Sequence, residues 1–278
     1  MKRKYPMTAP MLKMERLRRR LRSLKSALIA FSGGVDSTFL LAVAHEELGE
    51  RLLAVIATSP SYPVRELQAA RRCARRLKVR HIVITTDEMK NPAFVRNAPD
   101  RCFHCKSELF ERLTRIAARQ GLTHVLDGSN ADDRGDYRPG RRAAEAHGVL
   151  SPLMEIGFTK ADIRAASVAM GLPTASKPAL ACLASRFPYG TAITVAGLKA
   201  VDHAENALRR FGFGQVRVRA HDRVARIELT RDEMARALDP AMSRRIVTAA
   251  KRAGFLYVTI DLEGYRTGSM NAVLADAS

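Results

Sequence analysis

The segment Ala27-Leu28-Ile29-Ala30-Phe31-Ser32-Gly33-Gly34-Val35-Asp36-Ser37-Thr38 constrains this chain more than any other. Five apolar residues in a row read as a buried strand of a parallel sheet. Two glycines among hydroxyl residues follow, and Phe39-Leu40-Leu41-Ala42-Val43-Ala44 then reads as a buried helix. A strand-to-helix turn of this kind aims backbone N–H groups at one point, with the positive end of a helix behind them. That is an anion site, and phosphate is its usual occupant. Gly33 and Gly34 let the main chain come close to phosphate, and Ser32, Ser37 and Thr38 add hydroxyl donors.

The turn is not a Walker A loop, which has a longer gap between glycines and a Lys before its Ser or Thr. Ser32-Gly33-Gly34-Val35-Asp36-Ser37 instead resembles the PP-loop of ATP pyrophosphatases. Those enzymes split ATP into AMP and pyrophosphate and place the AMP on a substrate oxygen. A plain glycine turn is the competing reading, since short Gly-rich motifs recur by chance.

Strands and helices alternate after this point. Arg51 to Thr58 reads as a second buried strand, Val64 to Leu77 as a helix, and Val79 to Thr86 as a third strand. A helix over Lys106 to Gln120 precedes a fourth strand, Thr123 to Asp127. This grammar predicts an α/β fold with a doubly wound parallel sheet, whose ligands sit at the carboxyl ends of the strands. Thr58 and Ser59 end the second strand. Asp127-Gly128-Ser129-Asn130-Ala131-Asp132-Asp133 ends the fourth, with carboxylates suited either to Mg²⁺ on triphosphate oxygens or to Asx caps. Thr159-Lys160-Ala161-Asp162 reads as a capping box.

From about Ile193 the pattern changes. A helix to Phe211, a hairpin of Gln215–Arg219 and Val224–Leu229, a helix over Arg231–Ala253 and a strand over Phe255–Leu262 make a small α+β domain. The expected division is a PP-loop domain over residues 1–190 and a substrate-binding or oligomerisation domain over 191–278. Alternation puts Arg217 and Arg219 on one strand face, either as a phosphate clamp or as the wet face of the hairpin.

Composition narrows the partners. A net charge of +19 over 278 residues suits nucleotides, phosphorylated metabolites or RNA. The cluster Arg16-Leu17-Arg18-Arg19-Arg20 fits the solvated side of a helix whose stripe Leu12, Leu17, Leu21 and Leu24 packs inward. No run is apolar enough to span a membrane, and the basic N-terminus offers no signal-peptide core, which predicts a cytoplasmic protein. Four cysteines then argue for metal or catalysis rather than a disulfide framework.

Cys73 falls on an apolar helix face with Ala70 and Leu77 and reads as core. Cys102-Phe103-His104-Cys105 is a C-x-x-C just before a helix, where the helix N-terminus, Arg101 and Lys106 favour thiolate. A redox pair lacks the surroundings expected of one. Structural zinc lacks a second pair. Incidental cysteines in a turn are a third reading. The fourth joins Cys102 and Cys105 to Cys182 as three ligands of an iron–sulfur cluster with one iron open.

Taken together, the chain is similar over nearly its whole length to the LarE family, sulfur transferases that build the nickel-pincer nucleotide cofactor of lactate racemase. The resemblance rests on the PP-loop, Arg101–Lys106, Asp127–Asp133, Cys182-Leu183-Ala184-Ser185-Arg186-Phe187-Pro188-Tyr189-Gly190, Arg217-Val218-Arg219 and Gly264-Tyr265-Arg266-Thr267-Gly268-Ser269-Met270-Asn271. It implies that ATP adenylates a carboxylate of pyridinium-3,5-biscarboxylic acid mononucleotide, and that sulfur displaces AMP to leave a thiocarboxylate. It implies ATP and Mg²⁺ at Ser32, Gly33, Gly34, Asp36, Ser37, Thr38, Thr58, Ser59 and Asp127, with Asp36 also catalytic. Ser185, Arg186, Arg217 and Arg219 would grip the substrate's phosphate, with Glu205 and Glu228 close by. A homo-oligomer, hexameric in known members, and an external sulfide donor are implied as well.

The family has two sulfur chemistries. Some members give up the sulfur of a single cysteine, which here would be Cys182. Others carry three cysteines and a [4Fe–4S] cluster that passes on sulfide. The presence of Cys102, Cys105 and Cys182 favours the cluster, with Cys182 as ligand.

A tRNA thiolase, which also pairs a PP-loop with a cluster, is the nearest rival. It lacks a visible RNA-binding domain here, and nucleic acid is therefore disfavoured as a partner. An amide-forming synthetase gives the cysteines no task. A nucleotide- or RNA-binding module with a silent PP-loop is opposed by the intact motif.

Overall fold

A computed structural model describes residues 9–134, 139–178 and 181–266 of the chain. It forms two compact units, one drawn from Met1–Ser59, Val64–Glu88 and Cys102–Leu180, the other from Pro60–Pro63, Met89–Arg101 and Ala181–Ser278. Two short segments from the first half of the chain therefore fold with the second unit. The last residues of the Gly264–Asn271 motif, from Thr267, lie outside the described residues.

The first unit opens on α1 (Ala9–Ser23). Leu17, Leu21 and Leu24 are buried as expected, but Leu12 is 48% exposed. The stripe continues back from Leu17 through Met14, three residues earlier, which leaves Leu12 off the face. Then follow β1 (Ala27–Ala30), α2 (Val35–Leu48), β2 (Leu52–Thr58), α3 (Val64–Arg76) and β3 (His81–Thr85). After α4 (Pro92–Val95), which belongs to the second unit, come α5 (Arg101–Arg119), β4 (His124–Leu126), α6 (Pro139–Ala146), α7 (Pro152–Ile156) and α8 (Lys160–Ala169).

The four strands pair in parallel in the order β3-β2-β1-β4. The register runs Ile29↔Ala54, Ile29↔Leu126 and Ile56↔Val83. Successive side chains go to opposite faces, and each face has its own core. Ala27, Ile29, Leu52, Ala54 and Ile56 pack with α1, α2 and α3 residues such as Leu21, Phe39 and Ala70. Leu28, Leu53 and Val55 pack on the other side with Phe110 and Leu113 of α5 and Ala143 and Ala144 of α6. Helices on both faces of a parallel sheet make the doubly wound fold. The chain leaves β1 outward to β2 and β3 and returns to β4 on the other flank. The reversal lies beside β1, at the switch point where such sheets bind ligands.

In the second unit, α9 (Val195–Arg210) buries Leu198, Val201, Ala204, Glu205 and Leu208 along one stripe. Strands β5 (Arg217–His221) and β6 (Val224–Glu228) form an antiparallel hairpin, with Val218 opposite Ile227. The single helix expected over Arg231–Ala253 is instead two, α10 (Arg231–Leu238) and α11 (Pro240–Ala253). Pro240 cannot donate to a continuing helix. Asp239 caps the new one, accepting from the Ala241 and Met242 amides at 3.0 Å. Finally β7 (Tyr257–Ile260) adds to β6 in parallel. No helix among the described residues is long and apolar enough to cross a membrane.

Candidate functional site

The turn after β1 is built as an anion cradle. Gly33 takes φ +66°, and a Cβ there would stand 2.8 Å from the Ala70 Cβ of α3. Gly34 is the N-cap of α2, and no side chain caps that helix. The first-turn amides of α2 are thus left for a ligand. Ser32 Oγ lies 3.0 Å from Ser37 Oγ, and the two hydroxyls stand side by side at the turn. Thr38 is fully buried, with its Oγ1 3.8 Å from Cys73 Sγ on α3. Burial pushes the Cys73 thiol pKa up, which fits a core cysteine. Ser59, just past β2, donates to the buried Glu88 carboxylate, and the Thr58 carbonyl accepts from the Thr86 amide at 2.9 Å.

The loop after β4 lies against this turn. A Cβ on Gly128 would come 2.9 Å from the Ser37 nitrogen. Asp127 is buried and accepts from Ser129 Oγ at 2.8 Å, the Ser129 amide at 3.1 Å and Ser151 Oγ at 2.7 Å. Asp133 accepts from the Asn130 amide at 2.9 Å. These two carboxylates therefore serve as loop caps. Asp36 is different. Its Oδ2 pairs with Lys160 Nζ, whereas its Oδ1 is buried with no hydrogen-bond partner among the described residues. Lys160 was legible in the sequence only as part of the capping box, which is present: Thr159 Oγ1 accepts from the Asp162 amide at 3.1 Å.

Lys177 braces the same turn from another side. Its Nζ donates to the Gly33 carbonyl at 2.8 Å and pairs with Glu66 of α3 at 2.8 Å. Neither Lys177 nor the buried Glu66 was singled out by pattern, because both are fixed by contacts distant in sequence.

The C-x-x-C does not precede its helix. It lies within the first two turns of α5, which starts at Arg101. Cys102 and Cys105 are three residues apart and share one helical face. Cys102 is exposed, Cys105 and Cys182 are partly exposed, and none of the four cysteines is in a disulfide. Among the described residues no group of three or more His, Cys, Asp or Glu side chains converges as a metal site.

In the second unit, the 3-10 turn Leu183–Arg186, α9 and the β5–β6 hairpin bring together a buried arginine cluster. Arg186 donates Nε and Nη2 to Glu205 at 2.8 and 3.1 Å, and Nη1 to Ser185 Oγ at 2.9 Å. Arg209, one turn along α9, also reaches Glu205, at 2.7 Å. Arg219 grips Glu228 through two hydrogen bonds, at 2.9 and 2.8 Å, and donates to the Ser185 carbonyl at 2.8 Å. Arg217 lies over the Tyr265 ring at 5.2 Å. Both strand arginines are only 7% exposed, so the hairpin's wet-face reading fails.

Charge in this cluster is unbalanced. Arg186, Arg209, Arg217 and Arg219 face the carboxylates of Glu205 and Glu228, with positive charge in excess. Burial, followed by the Arg186 guanidinium, pulls the Arg217 pKa down to about 10. Burial alone would raise Glu205, yet Arg186 and Arg209 overcome it and hold that carboxyl at about 2. A buried guanidinium destabilised in this way gains from an incoming dianion.

Comparison with known proteins agrees with this architecture. Residues 15–143 match the asparagine synthase family. An uncharacterized protein of Synechocystis is 45% identical, over 94% of this chain and 98% of its own length. The pyridinium-3,5-bisthiocarboxylic acid mononucleotide synthase of Lactiplantibacillus plantarum is 38% identical, over 92% of this chain and 93% of its own length. The chain belongs to the LarE family of PP-loop ATP pyrophosphatases. This LarE family likeness extends to an uncharacterized protein of Methanocaldococcus jannaschii, 33% identical over 87% of this chain and 92% of its own length.

Proposed function

We propose that this protein is an ATP-dependent sulfur transferase that activates a carboxylate of pyridinium-3,5-biscarboxylic acid mononucleotide and converts it to a thiocarboxylate. The observation that carries the reading is the 38% identity, along almost the full length of both chains, to a synthase named for the bisthiocarboxylic product. The uncapped first turn of α2 supports it from the side of ATP, and the arginine cluster from the side of a phosphorylated substrate.

A carboxylate is a poor electrophile. Its oxygen attacks the α-phosphorus of ATP, pyrophosphate leaves, and the acyl adenylate has AMP as a good leaving group. A sulfur nucleophile then attacks the carboxyl carbon, the C–O bond to AMP breaks, and a C–S bond replaces it. In this scheme the amides of Gly33 to Ser37 hold the triphosphate. Asp36, with one unsatisfied buried oxygen, fits a Mg²⁺ ion, which would neutralise phosphate charge. Arg217, Arg219, Arg186 and Ser185 hold the substrate's phosphate, and Glu205 and Glu228 fix the guanidinium groups in orientation.

For sulfur, the residue types support a [4Fe–4S] cluster, since clusters take cysteine thiolates and Cys102, Cys105 and Cys182 are the three cysteines outside the core. Held by these cysteines, such a cluster would supply the sulfide that the activated carboxyl takes up.

The test uses anaerobically purified full-length protein with ATP, Mg²⁺, the mononucleotide and sulfide. Pyrophosphate and AMP release, with a product whose mass rises by the difference between sulfur and oxygen, supports the reading. Pyrophosphate release that needs tRNA instead of the mononucleotide overturns it. Iron and acid-labile sulfide lost in Cys102→Ala support the cluster. Iron-free active protein, with Cys182 losing the elements of H₂S on turnover, replaces it with the sacrificial route.

A further inference from the structure

We infer that Lys160 is a built-in counter-ion of the PP-loop, which holds Asp36 while no nucleotide is bound and which a divalent cation must displace when it arrives with ATP. The inference rests on the ATP-binding reading above and adds an order of events to it.

The two oxygens of Asp36 are treated differently. Oδ2 carries the Lys160 ammonium, and Oδ1 is buried without a hydrogen-bond partner among the described residues. A carboxylate beside a phosphate cradle would repel a triphosphate if nothing neutralised it. Lys160 does so from a distance of 124 residues in sequence. Its backbone is pinned: the Lys160 amide donates to Asp132 Oδ2 at 2.8 Å, and it opens α8 inside the Thr159–Asp162 capping box. The side chain is the loose part, 38% exposed at the end of a flexible four-carbon stem. It can therefore leave Asp36 without disturbing α8.

Consequences of opposite sign follow for metal and nucleotide. For a bare cation, Lys160 is a competitor on Asp36. For a cation accompanied by triphosphate, the displaced ammonium stays beside a polyanion and favours it. Lys160 thus discourages metal alone and rewards metal with ATP.

The experiment compares full-length wild type with Lys160→Met, Asp36→Asn and the double variant. Mn²⁺ binding without nucleotide is read by the loss of the free-ion electron paramagnetic resonance signal. Binding of a non-hydrolysable ATP analogue with Mg²⁺ is read by calorimetry. Lys160→Met should bind Mn²⁺ alone about tenfold more tightly, the scale of one charge-assisted contact, and the Mg²⁺–analogue pair about tenfold less tightly. Adding Asp36→Asn should erase the gain for Mn²⁺. Unchanged or weaker Mn²⁺ binding in Lys160→Met overturns the inference, as does a gain that survives Asp36→Asn or analogue binding that does not weaken. Lys160→Gln, which keeps the same backbone contacts, repeats each arm if the Met variant folds poorly. A wild type that binds no analogue refutes the ATP reading instead, and the Mn²⁺ comparison still decides the role of Lys160.

Discussion

A Cβ on Gly128 would stand 2.9 Å from the backbone nitrogen of Ser37 and 3.1 Å from its Cα, so the loop after β4 and the first turn of α2 touch through a residue that must be glycine. Both contacts are backbone, and neither can swing aside. Gly128→Ala should therefore push the PP-loop helix away from the β4 loop, at a cost of about 1–3 kcal/mol, the usual range for overpacking. Thermal unfolding and ATP-analogue calorimetry check it. The expected result is a lower Tm together with weaker nucleotide binding, and a variant unchanged in both would show that the contact is not a constraint.

Glu205 is 1% exposed and shared by Arg186 and Arg209. Its carboxyl is held at about 2, below the ordinary 4.5, because the two guanidinium groups outweigh its burial. A depressed carboxylate contributes stability that is complete above the unfolded pKa and is lost as pH falls through the folded one. The window therefore runs from about 4.5 down to about 2, and the contribution is roughly 3 kcal/mol. Urea titrations across that range should show a steep acid limb in wild type and a flatter one in Glu205→Gln. At neutral pH Glu205→Gln should lose about 3–5 kcal/mol, because it strands buried cationic groups.

The parallel sheet was legible because its signals are local. Short apolar runs separated by helical stretches can satisfy their backbone only in a buried sheet with helices on both faces. The glycine turn was legible for the same reason, since Gly33 supplies a positive φ that the motif needs. The braces of the turn were not. Lys160 with Asp36 and Lys177 with Gly33 join residues 124 and 144 apart, and no periodicity reports such pairs. Glu205 offered a signal that pattern reading can use. It interrupts the apolar stripe of Leu198, Val201 and Leu208, and an acid on a buried helix face needs a cationic partner. The start of α5 was misplaced by a few residues, and that moved two cysteines from a loop onto a helix.

Thiol reactivity should follow burial. Cys102 is exposed, whereas Cys73 is buried with its thiol pKa raised by that burial. Iodoacetamide treatment of metal-free protein, followed by peptide mass spectrometry, should label Cys102 first and leave Cys73 unmodified until the chain unfolds. Early labelling of Cys73 would contradict the packing of α3 against α2.

Lys177 links the Gly33 carbonyl to Glu66, and its two contacts can be separated by experiment. Glu66 is 6% exposed and is shared with Arg65 at 3.2 Å, so Lys177→Met removes one of the two cations on a buried carboxylate, at a cost of about 1–3 kcal/mol. The same change removes the donor that keeps the Gly33 carbonyl turned toward Lys177. Lys177→Met with Glu66→Gln removes the under-compensated charge but not the second defect. Thermal unfolding should therefore show the single variant destabilised and the double variant recovering part of the loss. ATP-analogue binding should stay weak in both, because a carbonyl without its donor no longer fixes the direction in which the following amides point. Recovery of stability and binding together in the double variant would make Lys177 a partner for Glu66 alone, with no part in shaping the loop.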